Sequence, residues 1–250
     1  MRKVFVLLFS LLIIPLGFSA SEVQDVFQKA NASYASGEFK KAGELYSQLI
    51  SSGHGSFQIY YNAGNAWSQA GEPGHAILNY KRALTINSRD SKTLQNLDFA
   101  YTLGGIPAPP KTFIVSMSSN FTIRFWAYTT FGLFSVTCLL LATSLLTQKR
   151  LVWSGAFTFV LMLLTLTPYL VLKSTIKDAV VLKPSSMRVS PIATAALTTS
   201  LKSGEIVSIK SQFGNFFLVE SGDNSGWLIF SDEVEPIFVI QKLPKNSWRD

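Results

Sequence analysis

Two uncharged apolar runs, separated by only three residues, constrain this chain most. Phe125 to Thr147 is a run of 23 residues and Leu151 to Leu172 one of 22, with Gln148, Lys149 and Arg150 between them. A helix needs about 20 apolar residues to cross the hydrocarbon of a bilayer. The spacing therefore predicts two transmembrane helices in a tight antiparallel hairpin. A buried helical pair in a soluble protein would need a large surrounding domain, and 250 residues leave no room for one. Composition agrees, with 48% hydrophobic and 15% charged residues, against about 25% charged in ordinary soluble domains. Pro168 is expected to kink the second helix, with Thr165 and Thr167 taking up the freed backbone groups. Trp126, Tyr128, Trp153 and Tyr169 lie near the ends, where interfacial aromatics sit. Neither run holds the charged groups of a transport path, and Cys138 reads as a packing residue. The hairpin is expected to be an anchor.

The placement of charge supports this. The net charge is +7, yet Val23 to Pro110 holds seven basic and six acidic residues, and Asp178 to Asp250 seven and eight. The excess flanks the apolar runs at Arg2, Lys3, Lys111, Arg124, Lys149, Arg150, Lys173 and Lys177. A nucleic-acid binder gathers its positive charge on a folded domain, so nucleic acid is excluded as a partner. At the N-terminus, Arg2 and Lys3 precede the short apolar run Val4 to Ile14, then Pro15, Gly17 and small residues. That order is a secretory signal, cleaved after Ser19, Ala20 or Ser21, or else an uncleaved anchor. Either way the following residues are exported, which puts Lys149 and Arg150 in the cytoplasm.

The exported helical part repeats itself. Gly37, Glu38, Ala42 and Tyr46 recur as Gly71, Glu72, Ala76 and Tyr80, each 34 residues on, and Asn31 and Ala32 recur as Asn65 and Ala66. A period of 34 with small and aromatic residues in this pattern is that of the tetratricopeptide repeat, two antiparallel helices per unit. The second copy, Phe57 to Asp90, departs from the pattern at Ser88 and at Pro73-Gly74. A further helix, Ser91 to Leu103, is expected to cap the stack. The inner face of such repeats would carry Phe27, Asn31 and Tyr34 from one unit and Tyr61, Asn65 and Ser68 from the next. Asn31 and Asn65 serve there either a protein partner or local hydrogen bonds. Phe27 and Tyr61 stand where carboxylate-clamping repeats have Lys or Arg, so acidic tails are poor candidates.

After Lys177 short β-prone segments take over, at Ala179–Leu182, Glu205–Ile209, Phe216–Val219 and Gly226–Ile229, with turns at Gly204, Gly214 and Gly222. Closure into a small barrel would hide their edges. The order of motifs resembles a bacterial SH3-type (SH3b) domain over Ala179 to Ile237. Arg188 and Pro191 match the family's Asn-Val-Arg-Ser-Gly-Pro stretch, Leu201 and Gly204 its Leu-x-x-Gly, and Gly226-Trp227 its terminal pair. Phe216 stands where a Trp often sits. The resemblance implies a ligand surface at Arg188, Phe216 and Trp227, although the strand context reads Trp227 as core.

Catalytic, cofactor and metal motifs are not found. His54 and His75 have no nucleophile beside them, Gly53 to Ser56 reads as a turn between repeats, and no nucleotide loop or metal-ligand spacing occurs. Asp232, Glu233 and Glu235 read as solvated surface. The expected organisation is a signal over 1–20, repeats over 23–106, a linker over 107–124, membrane helices over 125–147 and 151–172 around a loop at 148–150, an SH3b-like unit over 178–237 and a tail over 238–250. The expected fold class is a multi-domain membrane protein: an all-α repeat array, two transmembrane helices and a small all-β SH3-like barrel.

That order of parts resembles the BatE-type proteins of bacterial Bat (aerotolerance) operons. The resemblance implies a non-enzymatic scaffold in the bacterial inner membrane, multi-pass, with both soluble parts on the periplasmic side. Its implied partners are the von Willebrand factor A-type Bat membrane proteins, with no cofactor. The alternative is a peptidoglycan-binding anchor or sensor acting through the SH3b-like unit.

Overall fold

The structure is a computed structural model that describes residues 20–109, 118, 121, 123–147, 152–175, 177–230 and 233–238. The signal up to residue 19, most of the linker, the 148–150 loop, Asp232 and the tail from 239 lie outside the described residues.

Among the described residues five helices come first: α1 (Ala20–Ala35), α2 (Phe39–Ser51), α3 (Phe57–Gln69), α4 (Pro73–Ile86) and α5 (Ser91–Leu103). Each packs against the next in the chain. Ser56 starts α3 by accepting the Ile59 N–H, and Asp90 starts α5 by accepting that of Thr93. Gly37, Gly71 and Gly105 stop α1, α3 and α5 with φ of 82°, 76° and 61°. After each glycine the next N–H reaches back into the last helical turn, Glu38 to Ser33, Glu72 to Trp67 and Ile106 to Tyr101. The 34-residue spacing thus occurs a second time at Gly105, and α5 is the first helix of a unit whose second helix does not follow among the described residues. Close approach between helices falls on glycine and alanine. A Cβ on Gly43 would stand 2.6 Å from the Trp67 ring, and one on Gly64 2.6 Å from Tyr80.

Two apolar helices follow, α6 (Ile123–Thr147) and α7 (Val152–Thr175). Their seam is polar and their outside is apolar. Thr130 meets Thr165 at 3.1 Å and Thr137 meets Thr158 at 3.0 Å, while Phe131, Leu139, Trp153 and Phe157 stand exposed. Thr165 and Thr167 bond the Met162 and Leu163 carbonyls, not that of Leu164, the one Pro168 frees. Among the described residues one helix, over Arg124–Ser144, is long and apolar enough to cross a membrane; the apolar stretch of α7 is the shorter Gly155–Val171. This corrects the expectation of two transmembrane helices. Lys173 lies in the last turn of α7, so the uncharged part of that helix stops short of its end.

Seven strands follow among the described residues: β1 (Asp178–Val181), β2 (Ser185–Arg188), β3 (Leu197–Leu201), β4 (Ile206–Phe213), β5 (Phe216–Ser221), β6 (Asn224–Ile229) and β7 (Val234–Pro236). They form one antiparallel sheet in the order β3-β2-β6-β5-β4-β1-β7. β3 and β7 stand at the two ends of that order and do not pair with each other, and Val234 of β7 bridges Phe230 just beyond β6, so the expected separate barrel is corrected to one seven-stranded sheet. The sheet does not stand apart as a module, because α4 packs on β1 and reaches β7. Arg82, only 4% exposed, donates to the Pro236 and Ile237 carbonyls and forms an ion pair with Glu235 at 2.8 Å.

The helices and the sheet share a core. Alternation along β1 sends Ala179 and Val181 into the sheet's own cluster with Met187, Val219 and Leu228. Val180, together with Leu182 and Ile237, joins the cluster of Leu49, Ile77 and Tyr80. The Gly74 N–H donates to Ser203 Oγ at 3.0 Å, and a Cβ there would stand 2.3 Å from the Leu182 carbonyl. The departure from the repeat pattern at Pro73-Gly74 is therefore where the sheet docks. A row of separate all-α and all-β modules is corrected to a mixed α/β fold of seven helices and one seven-stranded sheet among the described residues.

Candidate functional site

The first helices of the three units, α1, α3 and α5, carry a polar ladder that repeats with the fold. The Tyr46 hydroxyl donates to Asn31 Oδ1, and Asn62 bonds the same hydroxyl. One unit on, the Tyr80 hydroxyl donates to Asn65 Oδ1 at 2.8 Å and Asn96 stands in the place of Asn62. Asn96 Nδ2 also donates to Asn65 Oδ1 at 2.9 Å. Burial raises both phenol pKa values above the ordinary tyrosine value, so each hydroxyl stays a donor at neutral pH. A donating phenol fixes its asparagine by the carbonyl oxygen, and the Nδ2 end is left to face the groove.

Two adjoining recesses open along this ladder. One of about 100 Å³ is lined by Asn31, Tyr34, Tyr46, Asn62 and Asn65. The other, of about 190 Å³, is lined by Tyr34, Asn65, Ser68, Tyr80, Asn96 and Phe99, with Gln69 at its rim. Tyr34 and Asn65 belong to both, and no lining residue carries a charge. Of the six expected docking residues, Asn31, Tyr34, Asn65 and Ser68 are thus brought together. Phe27 and Tyr61 are not. Phe27 packs edge-on against Tyr46 at 6.0 Å, and Tyr61 stacks on Phe57 at 6.1 Å and receives Asn96 Nδ2 at 3.4 Å. Both support the ladder from within. Sequence reasoning passed over Asn62, Asn96 and Phe99; the signal for Asn96 was its 34-residue spacing from Asn62.

On the sheet, Arg188 pairs across strands with Trp227, and Trp227 with Leu218, two residues from Phe216. The three expected ligand residues therefore share one face, each partly buried. They do not form one pocket. Arg188 makes a two-pronged bond to Glu233 at 2.7 and 3.0 Å, which raises its pKa, and Glu233 also accepts the Ile229 N–H. A shallow recess of about 540 Å³ borders Arg188 but neither Phe216 nor Trp227. The reading of Glu233 and Glu235 as solvated surface is corrected, since each holds an arginine.

The remaining polar groups are structural. His54 Nδ1 lies 3.1 Å from Ser52 Oγ, and His75 stacks on Trp67 at 4.6 Å with its pKa lowered by burial. No group of three or more His, Cys, Asp or Glu side chains is placed to hold a metal among the described residues. Compared with family models, with curated proteins and with solved structures, the chain finds no match in any of the three.

Proposed function

We propose that this chain is a non-enzymatic, membrane-attached docking protein whose helical groove holds an extended segment of a partner. The observation that carries the reading is the repeated asparagine ladder, whose fixed amides line adjoining uncharged recesses. Amide donors at regular intervals suit the carbonyls of an extended backbone, and Tyr34 and Phe99 supply apolar contact between them. The apolar exterior of the α6–α7 hairpin supports attachment to a bilayer. Resemblance to the BatE-type proteins, with the signal-like N-terminus, supports an envelope location with the helices and sheet on the exported side of the bacterial inner membrane. The partners it suggests are the von Willebrand factor A-type Bat membrane proteins.

The test replaces Asn31 and Asn65 together by Asp in the full chain. Aspartate keeps the oxygen that Tyr46 and Tyr80 bond, replaces the outward donor by an acceptor and adds a negative charge to the groove. The melting temperature is expected to hold while capture of the von Willebrand factor A-type proteins from solubilised membranes falls at least tenfold. Undiminished capture would exclude the groove. Binding to purified sacculi, lost on Trp227→Ala, would instead favour the peptidoglycan reading.

A further inference from the structure

The asparagine ladder changes its chemistry at the third step. Residues 34 apart hold the same place in successive units, so Asn31, Asn65 and Phe99 are equivalent, as are Gln28, Asn62 and Asn96. Asn31 and Asn65 are each held by a tyrosine from the second helix of their unit, Tyr46 and Tyr80. α5 has no second helix of its own among the described residues, and the third place holds a phenyl ring instead of an amide. Phe99 is 58% exposed and walls the larger recess together with Tyr34 and Tyr80.

Size separates what the two recesses can hold. A cavity of about 150 Å³ admits a benzene ring. The larger recess, about 190 Å³, has room for an aromatic side chain, and the smaller, about 100 Å³, does not. Hydrogen bonding narrows the choice. Asn65 Oδ1 is taken twice, by the Tyr80 hydroxyl and by Asn96 Nδ2, which leaves Asn65 Nδ2 as a donor. Asn96 Nδ2 is engaged with Asn65 and with Tyr61, which leaves Asn96 Oδ1 as an acceptor. A donor and an acceptor on two bonded neighbours suit a hydroxyl, which receives one bond and gives another. Phe has no polar tip, and the Trp ring N–H only donates. A charged tip would find no counter-ion, since no lining residue is charged.

We propose that the larger recess takes a tyrosine side chain of the docked segment, and that Phe99 determines this preference. The inference rests on the groove being the docking site. The ring lies against Phe99 and Tyr34, and its hydroxyl reaches Asn65 and Asn96. Tyrosine supplies a large, rigid contact at low entropic cost.

The experiment selects binders of the full chain, in detergent, from a displayed library of random octapeptides. Enriched peptides are expected to share a tyrosine at one fixed position, with no Asp, Glu, Lys or Arg beside it. A synthetic copy of one such peptide is then the probe. Exchange of its tyrosine for Phe should weaken binding about tenfold, and exchange for Ala should weaken it further. Phe99→Ala should remove the preference for the tyrosine peptide over the alanine one at an unchanged melting temperature, and Phe99→Trp should restore it. The chain with Asn31→Asp and Asn65→Asp should bind none of these peptides. Enriched peptides without a shared tyrosine, or a preference that Phe99→Ala leaves intact, would overturn the proposal and leave the groove a docking site. Should Phe99→Ala not fold, the peptide exchanges on the unaltered chain decide: equal binding of the Tyr and Phe peptides overturns the proposal. No enrichment at all, or peptides still bound by the double asparagine variant, would remove the docking reading and this proposal with it.

Discussion

Asp178 shows how a single side chain reports the contact between the helices and the sheet. It opens β1 beside α4, where burial drives its pKa up to about 6 and the nearby Lys81 opposes the shift. Lys81 is itself pushed down by burial. A folded-state pKa above the unfolded value means that Asp178 contributes stability below about pH 4, which is lost as pH rises through 6. His75 runs the other way. Its lowered pKa contributes stability above its ordinary value of 6.5, lost as pH falls through the folded value. Asp178→Asn removes only the first effect. Thermal melts of the full chain at pH 4.5 and pH 8 should show the variant faring better relative to the parent at pH 8. An equal difference at both values would mean that Asp178 is not buried against α4.

Among elements, the decisive contact is the start of α4 against β1 and the loop before β4. Gly74 allows it, because a Cβ there meets the Leu182 and Val181 carbonyls at 2.3 and 2.6 Å, and backbone has little freedom to yield. Overpacking of this kind typically costs about 1–3 kcal/mol. Gly74→Ala is therefore expected to lower the melting temperature and to speed hydrogen exchange in β1. Gly132→Ala on α6, where nothing lies within 4 Å of the added carbon, should do neither. In the hairpin the element-scale feature is the inverted pattern, with threonine pairs in the seam and apolar side chains outside. Water would favour the opposite arrangement.

At the scale of the molecule, the helices and the sheet lie on either side of the hairpin in sequence but are packed together in space. The Arg82–Glu235 ion pair joins positions 153 residues apart. Both parts must therefore occupy the same side of any bilayer that the chain meets. Ala35→Cys on α1 and Phe213→Cys on the sheet, each in a Cys138→Ser background, should react with a membrane-impermeant maleimide from the same face of sealed vesicles. Labelling from opposite faces would be incompatible with the shared core. The sheet also does what a further repeat would do. Val180, Leu182 and Ile237 join the core of a stack that has two full units and α5 among the described residues, and repeat units need neighbours to bury their apolar faces.

Periodicity made much of this legible in advance. The 34-residue spacing located the helix pairs, their glycine stops and the asparagines at 31 and 65, because each property depends on residues a turn or one repeat away. Strands with clear alternation were legible too, at β1, β5 and β6. What sequence passed over depends on partners distant in the chain. β2, β3 and β7 have weak patterns and exist through their neighbours in the sheet. Glu233 and Glu235 read as solvent-facing until Arg188 and Arg82 are brought to them from 45 and 153 residues away. Phe27 and Tyr61 share a helix face with the groove residues, but their rings are held by Tyr46 and Phe57. By itself the sequence determined the helical repeat, the apolar hairpin and the β-rich end, all set by local spacing and hydrophobic contrast. Only the tertiary structure decided that repeat and sheet share one core, that β7 joins β1 beside α4 and that the asparagines line a groove, because those outcomes rest on packing between segments that no local pattern encodes.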